Sequence, residues 1–387
     1  MRKSAYLLYL IVFLLAACGK ETPNNPNNGA PLVKNDSTYV VVMDTNIIYG
    51  EGLAHSATSD SSFAIPLKLD VYSPDNNSTN RPVFMFIHGG GFNGGIKHKP
   101  EIVDMAHYYA SRGWVFVSID YRTVQELGTI QGMAPADLIT FYKGIAPSEW
   151  VAFALNNAQD PADVQQAAAM YLAQRDAKAA LRWIVAHSGS YNINTDFITA
   201  GGASSGAITA VALGISNQGD FRDEITLNDD PTLSTTHLNE SYEVQGLIYF
   251  WGSNIKLDVY EAVYGLNQYD RYDAGDPELF MGHGTAQDLL TPYAEALELQ
   301  SVYDSLGIHN ELATLVKPNG TPAGHGAWNG IFDGKGLFKL SFDFLVEGKT
   351  SWSNKPRKQR AKSHTDIVLG IRAYSKRQTE DFEKRDN

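Results

Sequence analysis

Six short segments of the chain are almost wholly apolar: Val83–Ile87 (VFMFI), Trp114–Ile119 (WVFVSI), Phe197–Ala200 (FITA), Val244–Trp251 (VQGLIYFW), Glu278–Gly282 (ELFMG) and Glu311–Val316 (ELATLV). A strand with one wet face alternates apolar and polar residues, whereas a strand covered on both faces reads as a continuous apolar run. Between these runs lie helical patterns at Ala162–Ser188, Ser205–Leu213 and Tyr293–Leu306. Strand and helix in alternation predict an α/β fold around a doubly wound, mostly parallel sheet. Two stretches are longer than such a fold needs. Thr123–Asp160 and Asn217–Ser241 are expected to form cap insertions over a site, the first of them the main one, at residues 123–160.

The ends differ in kind from the body. Arg2 and Lys3 precede an apolar run from Ala5 to Leu15, which is shorter than the ~20 residues a bilayer span needs. Leu15-Ala16-Ala17-Cys18 follows, and its pattern resembles a bacterial lipobox. Cys18 is the single cysteine, so the chain forms no internal disulfide and no cysteine-based metal site. The expected organisation is a signal peptide at 1–17, lipid on Cys18, a flexible tether over 18–37, a globular body over 38–347 and a basic tail over 348–387. The Pro- and Asn-rich stretch ETPNNPNNGAP carries the tether reading. The segment 349–387 holds 11 Lys or Arg against 5 Asp or Glu. A lipid would fix the protein to a membrane, with ~0.8 kcal/mol from each buried CH₂. Gly19-Lys20-Glu21 lacks an aspartate after the cysteine, which points to the outer membrane. A net charge of −12 argues against a nucleic-acid partner, since phosphate binding needs a basic face.

The strongest chemical signal is Gly202-Ala203-Ser204-Ser205-Gly206, a Gly-x-Ser-x-Gly pattern between an expected strand and an expected helix. In that context the serine stands at the apex of a tight strand-to-helix turn, and the helix N-terminus offers partial positive charge to a developing oxyanion. The bland alternative is a glycine- and serine-rich loop. A second signal, His88-Gly89-Gly90-Gly91-Phe92, also follows a strand. Such a loop can present backbone N–H groups, and those of Gly90, Gly91 and Ser205 are the expected oxyanion donors. His88 is read as a brace for the loop and not as a base.

In order along the chain, LDVYSP (69–74), FIHGGGF (86–92), IDYR (119–122), DAKAALRWI (176–184) and GGASSGA (201–207) resemble the carboxylesterase and hormone-sensitive-lipase side of the α/β-hydrolases. The likeness is nearest to the bacterial feruloyl and acetyl-xylan esterases, the BD-FAE-like group, over roughly 67–346. The resemblance implies a Ser, Asp, His order for the triad. It directs attention to His283-Gly284-Thr285-Ala286-Gln287-Asp288, where Asp288 stands one residue further from the HGT segment than in the family and keeps a proline, Pro292, four residues on. Asp304 and Asp258 are the weaker acids. His325, between Gly324 and Gly326 after the last expected strand, is the base. Its rival His309 precedes that strand, and His98, His107, His187 and His237 read as surface or helix residues.

These residues imply hydrolysis of a carboxylic ester through an acyl-serine, on short-chain or carbohydrate-linked acetyl or feruloyl esters. No HExxH, EF-hand or Walker sequence occurs, and no metal or cofactor is implied. Two other readings stay open. One is a serine peptidase of the same fold, against which stand an HGGG loop and the short segment before residue 67. The other is a binding protein on a hydrolase scaffold, against which stands the presence of Ser204, Asp288 and His325 together.

Overall fold

Along β3 (Arg81–Ile87), Val83, Met85 and Ile87 enter one hydrophobic core while Phe84 and Phe86 enter another. That double burial is why the strand is apolar at every position from Val83 to Ile87. The computed structural model describes residues 33–56, 61–254 and 271–352. Cys18, most of the tether, Asp258 and the tail beyond Trp352 lie outside the described residues.

The remaining strands are β1 (Val41–Ala54), β2 (Phe63–Pro74), β4 (Val115–Ile119), β5 (Ile193–Ala203), β6 (Val244–Phe250), β7 (Glu278–Gly284) and β8 (Asn310–Leu315). They form one sheet in the order β1-β2-β4-β3-β5-β6-β7-β8. β1 pairs with β2 and β2 with β4 in antiparallel fashion; from β4 to β8 every pairing is parallel. All six apolar runs are strands of this parallel part. The hairpin of β1 and β2 is not among the expected strands: β1 is exposed along most of its first half and has two register shifts against β2, which blur its period-two pattern.

Helices cover both faces. α4 (Pro161–Ala186), α5 (Ser205–Ile215) and α6 (Tyr293–Ser305) bury Leu172, Leu181, Val211 and Leu299 in the first core. α1 (Pro100–Ala110) and α7 (Leu337–Trp352) bury Tyr109, Phe342 and Phe344 in the second. α7 runs past residue 347, so the globular body ends in a helix that crosses the expected boundary with the tail.

The insertion at 123–160 is helical. It holds a 3₁₀ turn (Val124–Glu126), α2 (Pro135–Phe141) and α3 (Ser148–Asn157). Trp150 Nε1 donates to Ala167 O of α4 at 2.7 Å, and Val124 N donates to Phe92 O at 2.8 Å, which ties the insertion to the glycine loop. The second long stretch, 217–241, is fastened to α4 and β1. Arg175 pairs with Asp230 at 3.2 Å, Arg182 Nε donates to Thr236 O at 2.7 Å, and Glu51 N donates to Thr235 Oγ1 at 2.8 Å. Lys178, on the same helix, donates to Asn217 O, and burial drives its ammonium down to about 7. This stretch buttresses α4.

Two of the sequence motifs meet in the core. Arg122 N donates to Asp176 Oδ2 at 2.8 Å, and its guanidinium reaches both carboxylate oxygens while Nη1 donates to Leu53 O at 2.9 Å. IDYR is thus clamped to α4 at the carboxyl end of β4. The parallel strands present their carboxyl ends at one edge, where open α/β sheets place their chemistry.

Candidate active site

β5 ends at Ala203 and α5 begins at Ser205, leaving Ser204 alone at the turn with φ 56° and ψ −122°. That left-handed conformation is strained for a residue with a Cβ. The glycines on either side make the turn fit. A Cβ on Gly202 would stand 2.3 Å from Gly206 C, and one on Gly206 would stand 2.0 Å from Ile87 O at the end of β3. Ser204 N donates to Phe250 O at 2.9 Å, and Ser204 O accepts from Ala207 N and Ile208 N as the helix starts. The chain therefore builds an elbow with Ser204 at its apex.

The HGGG loop lies directly over the elbow: a Cβ on Gly89 would come 3.1 Å from Ser204 Cβ. Each expected donor is held from the other side of its own peptide. The Gly89–Gly90 peptide, which carries the Gly90 N–H, has its carbonyl bound by His88 Nδ1 at 3.1 Å and Lys99 Nζ at 3.3 Å. The Gly90–Gly91 peptide, which carries the Gly91 N–H, has its carbonyl bound by Asn93 N at 3.0 Å. Gln166 Nε2 of α4 then holds Gly91 O at 2.8 Å. Fixed peptide dipoles of this kind need no reorganisation when charge develops.

His88 braces the loop, as its sequence context implied. Its ring stacks on Tyr121 at 4.4 Å, and the Tyr121 hydroxyl donates to His88 O at 3.0 Å and lies 3.3 Å from Ser205 Oγ. Burial drives the His88 imidazole down to about 4, so the ring is neutral at pH 7 and its 3.9 Å approach to Asp120 is not an ion pair.

Asp288 follows β7, and His325 follows β8. His325 Nδ1 and Asp288 Oδ2 are 2.9 Å apart. The Asp288 side chain is 3% exposed and the His325 ring 33% exposed, which is the arrangement of a buried orienting acid beneath an accessible base. Asp288 Oδ1 accepts from Leu290 N at 2.9 Å and Thr291 N at 3.1 Å. Burial would raise the Asp288 carboxyl, but hydrogen bonds from Thr291, Leu290 and His325 outweigh it and hold the group below the usual carboxylate range.

Ser204 and His325 flank the end of β6. Ser204 bonds to Phe250, and the His325 ring stands 6.5 Å from that of Trp251, which packs on Trp328 at 5.1 Å. Among the described residues Ser204 Oγ makes no hydrogen bond, and His325 bonds through Nδ1 to Asp288 and Thr291. The weaker candidates stand elsewhere. Asp304, on α6, accepts from Asn310 Nδ2 at 2.7 Å, and His309 stacks on Phe344 at 5.2 Å. Sequence reading missed Tyr121, Gln166 and Thr291. The Asp-x-x-Thr spacing from Asp288 to Thr291 was the one available signal for the last, since aspartate commonly accepts from amides two and three residues on.

The BD-FAE family model matches residues 69–139 and 162–262, leaving out α3. A 140-residue stretch is 29% identical to Neuroligin-like protein glit-1 of Caenorhabditis elegans; it covers 35% of this chain and 15% of that protein. Among solved structures, esterase 2 of Thermogutta terrifontis phosphorylated by paraoxon is similar with a TM-score of 0.50 at 20% identity, covering 79% of this chain and 94% of that one. The butyrate-bound form of that esterase gives 0.50 at 18% identity, over 83% and 95%. These structures share the fold. The chain is thus similar to the BD-FAE family over those residues and has the α/β-hydrolase fold.

Proposed function

We propose that the protein is a serine carboxylic ester hydrolase in which Ser204, His325 and Asp288 form the triad. The observation that carries the reading is the 2.9 Å bond from His325 Nδ1 to a buried Asp288, on the strand-end edge where Ser204 stands at a strained elbow. Ser204 Oγ attacks the ester carbonyl carbon, and its proton passes to His325 Nε2. Asp288 holds the tautomer with hydrogen on Nδ1 and stabilises the imidazolium. The N–H groups of Gly90, Gly91 and Ser205 take up the charge on the carbonyl oxygen, each worth about 3 kcal/mol in comparable sites. The C–O bond to the alcohol breaks, and His325 gives its proton to the leaving alkoxide. Water, deprotonated by His325, then attacks the acyl-serine, releases the acid and restores Ser204.

The substrates are short-chain or carbohydrate-linked esters, acetyl or feruloyl among them. The likeness to the BD-FAE family over residues 69–139 and 162–262 supports this substrate class, and residues 123–160 set the pocket. Hydrolysis of p-nitrophenyl esters of increasing acyl length, acetylated xylan and methyl ferulate tests it. So does covalent labelling by paraoxon, which phosphorylates the Thermogutta esterase. Labelling of the wild type that is lost in Ser204→Ala is the expected result. A peptidase would cleave peptides in preference to esters, and a binding protein would take no label.

The lipobox-like sequence at Leu15–Cys18 supports an exported lipoprotein tethered at Cys18, in the outer membrane. Loss of palmitate labelling in Cys18→Ser is expected, and unchanged labelling there would refute it.

A further inference from the structure

The Thr291 hydroxyl closes a triangle with the two triad members. Thr291 Oγ1 donates to Asp288 Oδ2 at 2.7 Å and lies 3.0 Å from His325 Nδ1, which is itself 2.9 Å from that same Oδ2. A hydroxyl has one hydrogen and two lone pairs. With its hydrogen committed to the carboxylate, Oγ1 can meet His325 only by accepting, so Nδ1 must carry its hydrogen and share it between Oδ2 and Oγ1. Thr291 is 3% exposed, so water cannot substitute freely for the hydroxyl. Burial pushes His283 below its ordinary value and Tyr249 well above its own, so neither of these neighbours of Asp288 adds a competing charge at neutral pH.

On the hydrolase reading above, we propose that Thr291 is a positioning residue of the triad: its hydroxyl orients the Asp288 carboxylate and fixes the tautomer of His325. It touches neither substrate nor nucleophile. Its contribution arises as His325 becomes charged, when the imidazolium Nδ1–H has two acceptors in place of one. Removing the hydroxyl therefore weakens the charged transition state more than ester binding.

The test compares Thr291→Val, which keeps the shape and loses the hydroxyl, with Thr291→Ser, which keeps the hydroxyl. Ser204→Ala runs in parallel, and thermal melting reports folding. Hydrogen bonds to charged groups are worth about 1.5–3 kcal/mol, so the expected loss in kcat for Thr291→Val is roughly 10- to 100-fold, with KM within about twofold. Thr291→Ser is expected to recover kcat to within about threefold of wild type. Wild-type kcat in Thr291→Val, or equal losses in the Val and Ser variants, overturns the role of the hydroxyl. Should Thr291→Val fail to fold, a tenfold loss in a folded Thr291→Ser overturns that role equally. Normal turnover by Ser204→Ala would instead remove the hydrolase reading itself, so the two failures are separable.

Discussion

Asp288 and His325 meet at 2.9 Å across 37 residues of chain, one from the loop after β7 and the other from the loop after β8. Adjacent parallel strands make that encounter cheap. β7 and β8 pair in register from Leu279 with Asn310 to Gly284 with Leu315, so the loops leaving their carboxyl ends start side by side. The sheet brings Asp288 to His325, and the Asp288 loop supplies hydrogen bonds that hold the carboxyl below the usual carboxylate range.

The first prediction separates the acids. Asp288→Asn is expected to lower kcat about 10⁴-fold, because an amide in that position favours the wrong tautomer of His325. Asp304→Asn, whose exposed carboxylate on α6 accepts from Asn310, is expected to leave kcat within about twofold. Steady-state kinetics on one p-nitrophenyl ester decides between them. Reversed results would move the acid to α6.

Strain at the nucleophile gives the second. Ser204 has φ 56°, where glycine is at ease and any Cβ is not. Relief of that strain is worth about 1–3 kcal/mol, and the extra freedom of glycine in the unfolded chain takes back about 0.5–1 kcal/mol. Both Ser204→Ala and Ser204→Gly are expected to be inactive, with the glycine variant about 1 kcal/mol the more stable in urea denaturation. An alanine variant of equal or greater stability would mean the elbow stores no strain.

The third concerns the core pair. Arg122 and Asp176 are both buried, and the carboxylate takes an amide and a two-pronged guanidinium. Asp176→Ala strands a cation and is expected to cost about 3–5 kcal/mol. Arg122→Met is expected to cost a similar amount because the carboxylate is then left alone, whereas the double change to Met and Leu restores part of the loss. Denaturation midpoints of the three variants measure this coupling directly. Additive losses would show that the two side chains act independently.

Which of these features the sequence announced follows from the range of the physics. The elbow and the glycine loop are local: backbone geometry demands glycines at fixed offsets, so GGASSGA and HGGG could be read without a partner. The parallel strands were visible because burial on both faces leaves an uninterrupted apolar run. β1 escaped because it is a half-exposed edge with register shifts, and α1 because nothing before Pro100 caps it with a side chain. No local pattern marks Arg175, Lys178 and Arg182 of α4 for burial. Their burial is known only once residues 217–241 fold back over them. The grip of Gln166 on Gly91 likewise spans 75 residues, and no local pattern encodes it.

The last prediction is the response to acid, and it isolates His88. Its ring is buried on Tyr121, and burial lowers the imidazole from its ordinary 6.5 to about 4 in the folded chain. The unfolded chain therefore takes up a proton near pH 6.5 that the folded chain accepts only near pH 4. Wherever the unfolded state binds more protons, stability rises with pH. The contribution of His88 is thus complete above about pH 6.5 and is lost progressively as the pH falls toward 4. A difference of this size corresponds to roughly 3 kcal/mol over that window. His88→Gln has no group titrating there, so its stability is expected to fall less steeply between pH 6.5 and 4.5, although it begins from a lower value at pH 7. Urea denaturation of both proteins at pH 7, 5.5 and 4.5 yields the two slopes. Parallel slopes would show that the acid sensitivity arises elsewhere and that the ring beneath the glycine loop is not held neutral by burial.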